Sequence, residues 1–152
     1  MLFRSPMLTE ELVVVSAASL PPLTDRDAIG LEAVAALPLI VLGSSYDLRG
    51  TTDAAFAAAG LAPDVVLEGA QMDAVLRFVE RGLGVAIVPA MVLIDRPQLR
   101  SVRLENPALS RTISLALPAH ATPSAAVRVM QQTVTSTAAA FAARAGASMQ
   151  VV

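Results

Sequence analysis

The sequence predicts an α/β fold, on three observations. Short apolar runs at residues 12–15, 39–42 and 85–88 have the length of strands buried on both faces. Stretches with helical spacing of apolar residues fill the gaps between 44 and 59 and between 72 and 81. Gly60 and Gly82 stand just past those stretches, where a left-handed residue ends a helix. Strand, helix, strand, helix, strand in that order implies right-handed parallel crossovers.

In chain order, residues 12–15 follow Thr9, Glu10 and Glu11 as a first buried strand with two edges to cover. Residues 16–27 read as loop, because Pro21 and Pro22 forbid helix there. A short helix fits 31–37 and stops at Pro38, since the residue before proline avoids the helical region. The strand at 39–42 follows, and Ser44, Ser45 or Asp47 is expected to cap the next helix. In that helix Leu48, Thr52, Ala55, Phe56 and Ala59 share one face. Pro63 leads into a strand at 65–68, and Gly69, Ala70 and Gln71 form a tight turn into the second helix. Its buried stripe is Met72, Val75, Leu76 and Val79.

Beyond the strand at 85–88, residues 90–94 hold one more helical turn before Pro97. Residues 99–104 alternate and are expected as a half-exposed edge strand. Asn106 and Pro107 mark a turn, and 112–117 returns as a strand. Thr122 and Pro123 supply a capping hydroxyl and a first-position proline for a helix running to about Ala145. Val127, Met130, Val134, Ala138 and Phe141 are its expected buried stripe, and the residues after Met149 are expected to fray. The break points near 16–27 and 106–111 suggest two lobes. Residues 19–108 would form one, and 1–18 with 109–152 the other.

Composition narrows the function. Hydrophobic residues make up 55% of the 152 and charged residues 16%, so the chain has a core to fold around. Aromatics are only 3%, which leaves few platforms for stacking bases. Net charge is −2, and all 11 basic residues are scattered arginines, unlike the basic stripe of a nucleic-acid surface. Without cysteine there are no disulfides and no thiolate metal sites. His120 is the single histidine and reads as a loop residue rather than a catalyst or ligand. No cofactor is expected. No apolar stretch reaches the roughly 20 residues of a membrane span. Pro6, Glu10 and Glu11 interrupt any leader-like start, so a cytoplasmic protein is expected.

Four segments carry a family resemblance: LTEELVVV at 8–15, LPLI at 37–40, DAAFAAAGLAP at 53–63 and VERGLGVAIVP at 79–89. Together they resemble the effector-binding domain of LysR-type transcriptional regulators. The resemblance implies a type 2 periplasmic-binding-protein fold of two α/β lobes, with a small-molecule effector in the cleft. Here it implies a complete second lobe and a partial first lobe. It further implies a homo-oligomer that meets DNA only through an N-terminal helix-turn-helix absent from this sequence, and no membrane partner.

Under that resemblance the loop with Ser44, Ser45, Tyr46 and Arg49 faces the effector. So does the turn with Gly69, Ala70, Gln71 and Met72. Helix starts there offer unpaired N–H groups to a small anion or carboxylate. The serines are read equally as helix caps, and the two roles are compatible. Arg49 is read either as solvated or as a neutralising charge. Gly82 and Gly84 do not fit a dinucleotide fingerprint, because the helix precedes and the strand follows. Gly84 is read instead as permitting close approach to a ligand. No paired titratable groups suggest catalysis. Effector sensing is therefore expected, with a stand-alone solute-binding protein of the same fold as the alternative.

Overall fold

A computed structural model describes residues 1–120 and 122–152. The strands are β1 (Leu2–Ala17), β2 (Ala28–Gly30), β3 (Leu39–Leu42), β4 (Val65–Gly69), β5 (Ala86–Pro89), β6 (Leu99–Glu105), β7 (Ser110–Pro118) and β8 (Met149–Val151). The helices are α1 (Leu31–Ala35), α2 (Asp47–Ala58), α3 (Met72–Glu80) and α4 (Ala125–Ala145). Two compact units emerge, Leu12–Leu109 and Met1–Glu11 with Ser110–Val152.

In the middle unit, the inner half of β1 lies between β5 and β6, antiparallel to both. β2 runs parallel to the outer side of β6. β3 and β4 pair in parallel, and a bridge from Leu39 to Val85 joins β3 to the start of β5. The central strands are buried on both faces, so alternate side chains feed two cores. Leu12, Val14, Leu39, Val41, Val85 and Ile87 face α1 and α2, where Phe56 is 2% exposed. Val13, Val15, Ile40, Leu42, Ala86 and Val88 face α3, whose Val75, Leu76 and Val79 fill that layer. A sheet with helices on both sides follows directly from these all-apolar strands.

Both crossover helices end as expected. Gly60 (φ 68°) and Gly82 (φ 74°) are left-handed. Leu61 N–H donates to Phe56 O and Leu83 N–H to Phe78 O, each closing the last turn. Other expectations are corrected. β6 is internal rather than an edge, because the short strand β2, in a stretch between the expected loop and helix that the sequence left unassigned, covers it. Neither Ser44, Ser45 nor Asp47 caps α2; its N-cap is Tyr46, with no side-chain cap.

In the other unit, β7 pairs along the outer half of β1, with a register shift near Pro6, which has no N–H to donate. The chain end does not fray: β8 pairs with Leu8, Thr9 and Glu10. Glu10 is buried and accepts from Arg111 Nε at 2.7 Å. The cap of α4 is Ser124, whose Oγ accepts from Val127 N–H at 3.3 Å, two residues beyond the expected Thr122. Its buried residues are Ala138 and Ala142, with Val134 and Phe141 half-buried, whereas Val127 and Met130 are exposed, so the expected stripe packs only in its C-terminal half. Among the described residues no helix is long and apolar enough to cross a membrane.

Candidate functional site

β3 and β4 are parallel neighbours whose last residues, Leu42 and Gly69, stand side by side. Both strands then turn into helices. Gly43 N–H donates to Gly69 O at 3.2 Å, which ties the two turns together. The 43–46 and 69–72 segments therefore lie at the same end of the sheet, beyond the carboxyl ends of parallel strands. That is where open α/β sheets receive ligands.

The helix starts at this end are bare. The N-caps Tyr46 and Gln71 are extended residues, and neither makes a side-chain cap. The N-terminal backbone donors of α2 and α3, and the positive ends of both helix dipoles, are thus directed toward this end. Ser44, Ser45, Ala70 and Gln71 are exposed there. Tyr46 and Met72 are half-buried and pack on the α3-side core, so they frame the turns from below. Gly69 is fixed by contact: a Cβ there would meet Val75 Cγ2 at 2.6 Å. Its bare backbone lets the first turn of α3 close onto β4.

Arg49 is not a solvated arginine. Its Nε donates to both carboxylate oxygens of Asp53, at 2.8 and 3.0 Å. Its Nη1 donates to Leu42 O at 2.9 Å and to Glu68 Oε2 at 3.0 Å. Hydrogen bonding to Glu68, then to Asp53, holds the guanidinium pKa above its ordinary value. A cavity of about 10 Å³ beneath, lined by Leu39, Ile40, Val41, Leu42, Leu48, Arg49, Thr52 and Ile87, is at most water-sized.

Gly84 lies apart from this group. It precedes β5 beside Pro38, at the opposite end of β3, about 15 Å of strand from Ser44 by strand rise. A Cβ at 84 would meet Pro38 O at 2.5 Å and Ile40 Cγ1 at 3.1 Å. The close approach that Gly84 makes possible here is to β3. The sequence reading missed Arg96, which bonds Asp73 Oδ1 at 2.5 Å and Glu80 Oε1 at 3.4 Å and pins α3. Nothing around Asp95 and Pro97 signals that role in the sequence. Among the described residues no three His, Cys, Asp or Glu side chains gather as a metal site.

Residues 2–139 match the family described as the LysR substrate binding domain. The chain belongs to that family. It is 33% identical over 95 residues to the HTH-type transcriptional regulator YybE of Bacillus subtilis, covering 62% of this chain and 32% of YybE. It is 39% identical over 70 residues to the HTH-type regulator SsuR of Burkholderia cenocepacia, covering 46% of this chain and 23% of SsuR. These relatives are transcriptional regulators, and the chain spans only those shares of their length. Among solved structures, the effector binding domain of QuiR in complex with shikimate aligns with a TM-score of 0.72 at 24% identity. That alignment covers 90% of this chain and 65% of QuiR's. The Synechocystis PCC6803 CcmR regulatory domain in complex with 2-PG aligns at 0.77 with 19% identity, over 90% and 66%. At these identities both show the fold, which is periplasmic-binding-protein-like. As a LysR substrate-binding domain, the chain is an effector-binding module in its family.

Proposed function

We propose that the chain senses a small carboxylate-bearing effector through the paired turns at 43–46 and 69–72, without chemistry on it. The observation that carries this reading is the Gly43–Gly69 hydrogen bond, which brings two uncapped helix starts to one place. Exposed N–H groups at a helix start, reinforced by the dipole, favour a negative oxygen. Ser44, Ser45 and Gln71 add side-chain donors around it. QuiR, whose fold this chain shares, is seen with shikimate, a hydroxylated carboxylate.

In the proposed setting the chain is part of a cytoplasmic, oligomeric HTH-type regulator. The effector shifts the equilibrium between two conformations by its differential affinity for them, and a DNA-binding region of the whole protein responds. The partial first lobe would be 1–18 with 109–152 and the second lobe 19–108, with no catalytic residue in either.

A thermal-shift screen with shikimate and a panel of small carboxylates tests this. A ligand at a hundredfold its Kd stabilises by about 2.7 kcal/mol. A hit is expected to lose its shift when Ser44 and Ser45 are both changed to Ala. An unchanged shift in that variant removes this turn from the site.

A further inference from the structure

We propose that Arg49 is a positioning residue that sets the spacing of the two turns, rather than the group that meets an effector's charge. The effector part of this inference rests on the reading above; the positioning part stands on geometry alone. One guanidinium ties together three of the elements that meet at the candidate site, β3, β4 and α2. It belongs to the first turn of α2, bonds the last carbonyl of β3 at Leu42, and bonds Glu68 on β4 one residue before Gly69. Its other edge grips Asp53 one turn further along α2, so the fork cannot swing freely. Glu68 also leans over the first turn: its Oε1 lies 3.5 Å from where a Cβ on Gly43 would be.

The charge balance points the same way. Arg49 already faces two carboxylates, and Asp47 and Asp73 stand in the first turns of the two helices. A guanidinium so engaged adds little net positive potential at the turns. A bound carboxylate would then be read by backbone N–H groups and hydroxyls, whose placement depends on the clamp. Lysine cannot replace this arrangement, because an ammonium lacks the planar fork that spans Asp53 on one edge and Leu42 O with Glu68 on the other.

Residue-resolved amide exchange on the whole chain, with no ligand added, tests the clamp. The reporters are Gly43 and Tyr46 in the first turn and Val75 beside the second, all hydrogen-bonded. In Arg49→Ala their exchange is expected to speed up by about tenfold or more, while Val14 and Val88 keep their wild-type rates. Arg49→Lys is expected to behave like Arg49→Ala. Glu68→Gln, which keeps an acceptor, is expected to retain most of the protection. Reporter rates within twofold of wild type in Arg49→Ala overturn the proposal, and so does a uniform rise across the unit. Rescue by lysine, with a wild-type shikimate shift, would make Arg49 a simple charge and also overturn it. If the reporters loosen as expected but no carboxylate shifts the wild-type chain, the effector reading fails and the clamp stands.

Discussion

At the residue scale, missing side chains decide as much as present ones. Gly84 has a carbonyl, Pro38 O, where its Cβ would go, and the strands joined there are the spine of the middle unit. Gly84→Ala is expected to destabilise by about 1–3 kcal/mol in urea or thermal unfolding, because backbone rather than a flexible side chain must move. Gly50 makes the opposite case. Nothing lies within 4 Å of its virtual Cβ, and it sits inside α2. Gly50→Ala is expected to stabilise by about 0.5–1 kcal/mol in the same measurement. The sequence alone does not show which neighbour Gly84 approaches, since its partner lies 46 positions away. The Arg49 clamp was illegible for the same reason: its acceptors come from β3, α2 and β4. The two turns themselves were legible, as small polar residues between an apolar run and a helical pattern.

At the element scale, legibility followed contrast between faces. α3 has a sharp apolar stripe, and Val75, Leu76 and Val79 are buried as its spacing predicts. α4 carries alanine, valine and threonine on every side, so its faces contrast weakly, and only Ala138 and Ala142 are buried. Its length was readable, and so was the inward side of its C-terminal half at Val134, Ala138 and Phe141; the exposure of Val127 and Met130 was not. Phe56→Ala on α2 is therefore expected to lose about 3–5 kcal/mol by thermal unfolding, having a full aromatic to remove from a closed core. Met130→Gln on α4, at 63% exposure, is expected within about 0.5 kcal/mol of wild type in the same assay. The short strands β2 and β8 escaped notice because three residues give no period, and their partners lie on β6 and β1.

At the scale of the whole molecule, burial is unequally shared between the two compact units. The middle unit holds both hydrophobic clusters. Among the described residues of the other unit, the buried set is Leu8, Glu10, Ala138, Ala142 and Met149. Local opening follows such differences. Mid-helix amides of α4 are expected to exchange on the order of 100-fold faster than those of Val14 and Val88 in native-state hydrogen exchange. Equal protection would mean that the units open together. Leu2, Phe3, Val129 and Met130 are exposed in the same unit. Association that grows with concentration is accordingly expected in light scattering; a clean monomer across the range would contradict it.

The bare helix starts at Tyr46 and Gln71 have a calorimetric consequence. The ledge they form is made of peptide groups, two hydroxyls and an amide, with little oil to hide. A guest that docks on it trades one set of polar partners for another. Its heat capacity change should stay near zero, and its binding should release heat.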